Sequence, residues 1–236
     1  ALYAFNDAVF DDGDWKGIRM LQDSIKDKDP MKVGRFGLGF KSVFHMTDMP
    51  SVLSDKWLAF IDPHEKYFRF EGDSTTGFRY KLSTVNAELK SSLEHQFAPY
   101  QGIFGCDEKT FLKGHYDGTL FRFPLRQQQS ELSDTKYTPQ KIEELFASFE
   151  RDAHLVLLFL KHVESVELCV RKQGCPVETV FKVQVQDSLK EQVRAARHEF
   201  LAKLSPTTWL SKPAKVVYPL RVETVKYDNG AISQKR

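Results

Sequence analysis

The fold prediction starts from one stretch of sequence, Val33-Gly34-Arg35-Phe36-Gly37-Leu38-Gly39-Phe40-Lys41-Ser42-Val43-Phe44. It contains three glycines within six residues, and an apolar helical pattern follows them at once. Glycine permits positive φ and lets the backbone lie directly against a ligand. The free N–H groups at the start of the following helix, together with its dipole, favour an anion, usually a phosphate. The stretch therefore predicts a flexible loop that runs into a helix N-terminus and binds phosphate.

Two widespread phosphate-binding loops do not fit this stretch. The P-loop needs Gly-Lys-Ser/Thr, which is missing here, and the Rossmann loop directly follows a strand. Here the loop instead follows a predicted helix and the charged segment Lys26-Asp27-Lys28-Asp29-Pro30. That order, a strand with an acidic residue, a helix, a mobile segment and then G-x-x-G-x-G-F, resembles the Bergerat-fold ATPases. Gyrase, the ninety-kilodalton heat-shock chaperone, sensor histidine kinases and mismatch-repair ATPases belong to this class.

Length and composition set the outer limits of the fold. The chain has 236 residues, of which 41% are hydrophobic, and this is enough to bury the core of one large domain. A formal net charge of +2 gives no electrostatic basis for nucleic-acid binding, and the longest apolar run, residues 155–160, is too short to span a bilayer. Three cysteines without metal-ligand spacing fit a reducing cytosol. We therefore expect a cytoplasmic protein with no nucleic-acid partner and no membrane insertion.

The sequence before the glycine loop predicts a strand and a helix. The apolar run at residues 1–5 ends at Asn6 and Asp7, which indicates a buried strand with polar residues at its end. Residues 11–14 offer N-cap chemistry for a helix that carries Trp15 on its apolar face. Because a domain seldom begins in the middle of a buried strand, we expect a further helix and strand to precede this one.

The rest of the chain alternates between strand and helix patterns. Short apolar runs or a period near two predict strands at residues 57–61, 67–70, 78–82, 118–125, 165–171, 177–186 and 215–226, the second and third forming a hairpin. Apolar residues on one helical face predict helices at residues 40–44, 87–93, 139–149 and 188–204. The run 155–160 is apolar all round, which predicts a buried helix or strand. Pro219 favours an edge position for the last strand.

These patterns together predict an α/β fold, more closely an α+β two-layer sandwich. In this fold a mixed, mostly antiparallel sheet has helices packed on one face. We expect residues 1–236 to form a single Bergerat-type domain that lacks its natural N-terminal helix. Residues 172–236 would add a hairpin, a helix and an edge strand to the same domain.

Further motifs extend the resemblance along the chain. They are Tyr3-Ala4-Phe5-Asn6-Asp7-Ala8-Val9-Phe10, Asp62-Pro63-His64, Phe97-Ala98-Pro99-Tyr100, Gly118-Thr119-Leu120-Phe121-Arg122-Phe123-Pro124-Leu125-Arg126 and Leu155-Val156-Leu157-Leu158-Phe159-Leu160. With the glycine loop, they resemble the ATPase-like domain that starts each large repeated region in a family of co-chaperones. The matching motifs run from residue 1 to about residue 171, and the remainder is compatible but less marked.

The resemblance implies a nucleotide-binding role for one set of residues. They are Asn6, Asp7, Gly34, Arg35, Phe36, Gly37, Leu38, Gly39, Phe40 and Thr119. Asp7, with Asn6 beside it, stands where Bergerat proteins hold the carboxylate that accepts a hydrogen bond from the adenine amino group, a task that suits an acceptor-only side chain. The glycine loop would wrap the phosphates, and the Thr119 hydroxyl would lie near the base. The alternatives are a strand-end Asp7 that only caps a turn and a solvated surface charge at Arg35.

Two departures from the Bergerat pattern bear on mechanism. In Bergerat ATPases, a glutamate that activates water and an asparagine that binds magnesium lie on a helix before the first motif. This chain does not include that helix, so no residue here is assigned as general base or Mg²⁺ ligand. The usual D-x-G-x-G is replaced by Asp7-Ala8-Val9-Phe10, and a side chain at Ala8 or Val9 stands where the base edge normally meets bare backbone. A misfit of one or two kcal/mol lowers affinity by roughly tenfold. We expect ATP with Mg²⁺ as the cofactor and no hydrolysis by this chain alone.

The resemblance finally implies a place in protein quality control. The chain would be the ATP-binding-like module of a large co-chaperone. Through the parent protein, its partners would be client proteins and the seventy-kilodalton heat-shock chaperone system. The alternative is a pseudo-ATPase, a structural or protein-interaction domain that keeps the fold but does not bind ATP.

Overall fold

The structure is a computed structural model that describes residues 1–19, 38–70, 73–84, 94–160, 162–203 and 217–235. The loop residues Gly34, Arg35, Phe36 and Gly37 lie outside the described residues, as does the helix predicted at 87–93. The described residues form two compact units, residues 1–19 with 38–138, and residues 139–235.

The first unit is built on a five-stranded antiparallel sheet. The strands of this unit are β1 (Leu2–Asn6), β2 (Ser51–Asp55), β3 (Trp57–Ile61), β4 (Arg69–Phe70), β5 (Asp73–Ser74), β6 (Gly77–Lys81) and β7 (Tyr116–Phe123). Its helices are α1 (Asp12–Arg19), α2 (Leu38–Lys41), α3 (Glu94–Phe97) and α4 (Glu108–Lys113), with 3₁₀ turns at Ser42–His45, Leu82–Thr84 and Ala98–Tyr100. The large sheet has the order β1-β7-β2-β3-β6, and β4 pairs separately with β5.

Strand register divides the residues of this sheet between two buried faces. Val52 and Phe121 are direct partners on one face, where Trp15 of α1 packs, and we call it the helix face. On the opposite face, Leu53 and Leu120 are partners and both are fully buried. Because successive side chains of a strand alternate, one face holds α1 while the other can bury a second layer.

The second unit is a four-stranded antiparallel sheet with two longer helices. Its strands are β8 (Ser165–Arg171), β9 (Val177–Val185), β10 (Val222–Asp228) and β11 (Ala231–Lys235), in the order β11-β10-β9-β8. Its helices are α5 (Pro139–Phe159) and α6 (Lys190–Lys203), with a 3₁₀ turn at Asp187–Leu189. Alternate residues of β9, Phe181, Val183 and Val185, form its core with Leu157 of α5 and Val193 of α6.

The predicted mixture of helices with antiparallel sheets is confirmed. Several elements match closely, including β3, β7, β8 and the long helix that begins at Pro139. Within the described ranges, no helix combines the length and the apolar character that crossing a membrane requires.

The hairpin predicted between residues 67–70 and 78–82 is wrong. β6 pairs with β3 along its whole length, and Arg69–Phe70 pairs with Asp73–Ser74 instead. Gly77 makes the closer pairing feasible, because a Cβ at this position would lie 2.2 Å from the carbonyl oxygen of Phe60. Its φ of +138° is also one that residues other than glycine rarely adopt.

Three expectations about burial and strand position are corrected. β1 is an edge strand rather than a buried one, and Phe5 is 40% exposed. β10 lies between β9 and β11 rather than at an edge, because Pro219 precedes the strand and removes none of its hydrogen bonds. The run 155–160 continues α5 to Phe159, and a straight helix buries only one side against its sheet, so Phe159 is 75% exposed.

Candidate functional site

The pairing of β1 with β7 brings two of the predicted site residues together. Asn6 lies directly opposite Thr119 in the antiparallel register. Asp7 follows at the end of β1 and is exposed, whereas Thr119 is fully buried. An exposed carboxylate therefore follows directly after the residue that pairs with the buried Thr119, although Asp7 and Thr119 are far apart in sequence.

A chain of buried hydrogen bonds surrounds the Thr119 hydroxyl. Its Oγ1 donates to the carbonyl oxygen of Ala8 at 2.7 Å and lies 2.8 Å from Oγ of Ser54. Ser54 is fully buried, and its hydroxyl donates to the carbonyl oxygen of Gly118 at 3.0 Å while accepting from the backbone N–H of Phe10 at 2.9 Å. Two hydroxyls thus satisfy the main chain of residues 8–10 and fix it against the sheet.

The segment after Asp7 also forms its own local turn. The Asn6 side-chain oxygen accepts a hydrogen bond from the Ala8 N–H at 3.1 Å, as in an Asx turn. Val9 then points outward and is 49% exposed. Asn6 is therefore the last residue of β1, and its side chain also holds the turn that follows. The Thr119 hydroxyl, which is predicted to lie near the base, is bonded to the backbone of Ala8.

Gly118 is required because of how closely β1 approaches β7. A Cβ at this position would lie 2.7 Å from both the carbonyl oxygen of Asn6 and a ring carbon of Phe5. Its φ of +127° also falls where residues with side chains are strained. The Phe5 ring is held in this position by stacking on Phe104, with ring centroids 5.3 Å apart. Local packing by itself thus requires glycine at position 118.

The helix after the glycine loop, α2, packs against β7 on the helix face of the sheet. α2 carries Gly39, which is exposed, and Phe40, whose ring centroid lies 6.0 Å from that of Phe121. The Ser42 hydroxyl donates to the carbonyl oxygen of Gly39 at 2.7 Å and steadies this short turn. Since Thr119 and Phe121 are alternate residues of β7, both belong to the same face of the sheet.

An aromatic row covers part of this face. The Phe10 ring centroid lies 5.1 Å from that of Trp15 and 5.8 Å from that of Phe121. Arg79 lies over the Trp57 ring at 4.1 Å from its centroid. The row places bulky side chains on the same face of the sheet as Thr119.

The structure therefore places five of the ten predicted site residues in two groups. Asn6, Asp7 and Thr119 meet at the β1–β7 pair, and Gly39 and Phe40 belong to a helix packed on the same face. Leu38 is described only as the first residue of α2. The loop residues 34–37 lie outside the described residues.

Sequence reasoning missed Ser54, which contacts three parts of this arrangement. It belongs to β2, for which no strand was predicted, and lies opposite both Trp57 and Thr119. A single serine carries no local signal, so only the register of three strands could have identified it.

Comparison with known proteins identifies the family. A family model described as the Sacsin domain matches residues 1–182, and the chain belongs to this family. The chain is also 46% identical over 199 residues to human Sacsin, an alignment that covers 84% of this chain and 4% of Sacsin. The chain thus spans a small part of the length of the relative that it matches.

Proposed function

We propose that this Sacsin-domain chain is a Bergerat-type nucleotide-binding module. The observation that carries the proposal is the β1–β7 register, which sets Asn6 against Thr119 and leaves Asp7 exposed at the strand end. An ionised carboxylate accepts hydrogen bonds and donates none, so Asp7 suits the exocyclic amino group of adenine.

The described residues fit ATP in part. The Asp7 carboxylate is open to a base, and Gly39, which is exposed, belongs to a helix packed on the same face of the sheet as Thr119. Thr119 would act through Ala8, whose carbonyl oxygen its hydroxyl holds, rather than by touching the base. Bound ATP with Mg²⁺ would supply the free energy that favours one conformation of the module over another. No residue of this chain is proposed to activate water.

A pseudo-ATPase is the second candidate, and one observation favours it. Thr119 is fully buried, its hydroxyl proton is used by Ala8, and Phe10 packs beside it on Phe121. A base entering here would have to displace protein contacts that already satisfy these groups. In that case the fold would serve as a structural or protein-interaction domain.

We place the module in protein quality control in the cytoplasm. The larger protein would act as a co-chaperone, with client proteins and the seventy-kilodalton heat-shock chaperone system as partners. The basis for this part of the proposal is membership of the Sacsin-domain family, together with the resemblance to the ninety-kilodalton chaperone.

Calorimetry with ATP and Mg²⁺ separates the two candidates. We expect binding heat for the unaltered chain and at least a tenfold weaker Kd for Asp7→Asn, because the amide presents a donor to the base. Asp152→Asn, at an exposed position of α5, serves as the matched control and should leave Kd unchanged. The same titrations are repeated on a longer piece of the parent protein. Absence of heat and of a melting-temperature shift at millimolar nucleotide, in both lengths, would favour the pseudo-ATPase.

A further inference from the structure

Arg126 is a buried cation just beyond β7, only 3% exposed. Its guanidinium donates to the carbonyl oxygens of Phe44 at 2.7 Å and His45 at 2.6 Å. Its own backbone N–H donates to the carbonyl oxygen of Met46 at 2.8 Å. These three carbonyls end the helical segment that begins with α2, so Arg126 closes the far end of the glycine-loop helix.

The chemistry of this contact is that of a helix C-cap. The last carbonyls of a helix have no intrahelical donor and carry the negative end of its dipole. A guanidinium supplies several donors in a fixed fork together with a full positive charge. A lysine keeps the charge but cannot reproduce the fork.

Asp48 completes the arrangement by balancing the buried charge. Its Oδ1 accepts from Arg126 Nη2 at 2.6 Å and Nε at 2.9 Å, and from the Ser130 hydroxyl at 2.7 Å. Burial alone would raise the pKa of Asp48, but the hydrogen bonds from Arg126 and Ser130 outweigh it and the pKa is lowered. Asp48 therefore stays ionised at neutral pH, as the buried cation requires.

β7 and the residues just after it thus fix both sides of the candidate site. β7 presents Thr119 opposite Asn6. A few residues later, Arg126 donates hydrogen bonds to carbonyl oxygens at the end of the segment that starts at Leu38. We propose that Arg126, with Asp48, is a positioning residue for nucleotide binding: it fixes the α2 segment relative to the Asp7–Thr119 strand pair. This inference rests on the proposed nucleotide function.

A matched residue in the second unit allows positioning to be distinguished from general stability. Arg197 is also buried, and its guanidinium donates to the carbonyl oxygens of Leu157 at 2.7 Å and Val163 at 3.1 Å. It satisfies one carbonyl in the last turn of α5 and one in the segment that follows the helix, as Arg126 does at the end of the α2 segment. No predicted site residue lies in that unit.

The experiment compares Arg126→Lys with Arg197→Lys in the full chain. ATP affinity is measured by calorimetry, and amide hydrogen exchange is followed for residues 38–48 and for β2. For Arg126→Lys we expect at least tenfold faster exchange in 38–48, little change in β2 and at least tenfold weaker ATP binding. Arg197→Lys should lower the melting temperature while leaving the ATP Kd within about twofold of the unaltered chain. Asp48→Asn is the second variant if Arg126→Lys does not fold.

The outcomes separate this inference from the function on which it rests. Unaltered exchange in 38–48 would show that Arg126 does not anchor the segment and would overturn the inference. Faster exchange with unchanged ATP affinity would also overturn it, because the role would be structural alone. If the unaltered chain binds no ATP in either length, the proposed function fails first, and exchange still decides whether Arg126 anchors the α2 segment.

Discussion

Gly118 and Thr119 are neighbours with opposite physical requirements. Gly118 must lack a side chain because β1 passes within 2.7 Å of where its Cβ would lie. Thr119 needs its hydroxyl because the Ala8 carbonyl and the Ser54 hydroxyl depend on it inside the protein. The pair therefore joins β1 to β7 through one close approach and one buried hydrogen-bond network.

Gly118→Ala should destabilise the protein strongly. The added methyl meets the backbone of Asn6 and the ring of Phe5, and the φ of +127° adds strain, so we expect a loss of about 3 kcal/mol or more in the free energy of unfolding. Urea denaturation measures it. Gly105→Ala is the control, because Gly105 has a φ of +75° with no atom within 4 Å of the new Cβ. Equal losses in the two variants would show that strain alone, and not the close approach, acts at Gly118.

His115 should titrate above the ordinary histidine range. Its Nε2 lies 2.6 Å from Asp117 Oδ1 and its Nδ1 2.7 Å from Asp55 Oδ1, and these hydrogen bonds raise its pKa. A raised folded-state pKa means that the contribution to stability is fully present below the unfolded value of about 6.5. It is lost as pH rises through the folded pKa.

An NMR titration of the His115 ring tests this prediction, and Asp117→Asn should bring its pKa down. In denaturation, His115→Gln should cost more stability at about pH 5 than at about pH 9. The difference should be small because the side chain is 47% exposed. A cost that grows with pH would contradict the assignment.

At the scale of elements, the segment between β1 and α1 is attached to β2 by a side chain. Ser54→Ala removes the acceptor for the Phe10 N–H and the partner of Thr119. A buried donor left without a partner costs about 1–3 kcal/mol, so exchange of the Phe10 amide should accelerate markedly.

Ser51→Ala is the control for that measurement. Ser51 lies on the same strand but faces the other way, where its hydroxyl meets the Tyr100 hydroxyl at 2.5 Å. Ser51→Ala should leave the exchange rate of the Phe10 amide unchanged. Equal acceleration in both variants would mean that β2 as a whole, rather than the Ser54 hydroxyl, holds the segment.

Two adjacent leucines of α5 should differ sharply in their importance. Leu157 is fully buried in the core of the second unit, and Leu157→Ala should cost about 2–5 kcal/mol in the free energy of unfolding. Leu158 is 51% exposed, and Leu158→Ala should cost about 0.5 kcal/mol or less. Urea denaturation measures both losses, and similar values would contradict the orientation of the helix.

For the whole molecule, local patterns predict elements better than they predict pairings. Residues 57–61 form a strand because their apolar, branched and aromatic side chains fit a buried sheet, and Thr138-Pro139 marks a helix start correctly. β2 was missed because Ser51–Asp55 contains two serines and an aspartate, although four of its five residues are buried. Its serines are satisfied by Tyr100 and Thr119, partners that only the fold supplies.

The candidate site shows the same limit. The glycine pattern and the strand-end Asp7 are visible in the sequence, and so is the Gly-Thr pair. Their convergence depends on the β1–β7 register, and the anchor at Arg126 depends on a strand end meeting a helix end far away in sequence. Such contacts join residues that are distant in sequence, so the periodicity within either segment cannot predict them.

Membership of the Sacsin-domain family gives the nucleotide proposal its wider setting, and the chain covers only 4% of human Sacsin. The most direct test is amide hydrogen exchange with and without millimolar ATP and Mg²⁺. We predict slower exchange in residues 6–10 and 38–41 and no change in β10 and β11. Identical exchange in those two segments with and without nucleotide, or protection confined to the second unit, would contradict a nucleotide site at the Asp7–Thr119 strand pair.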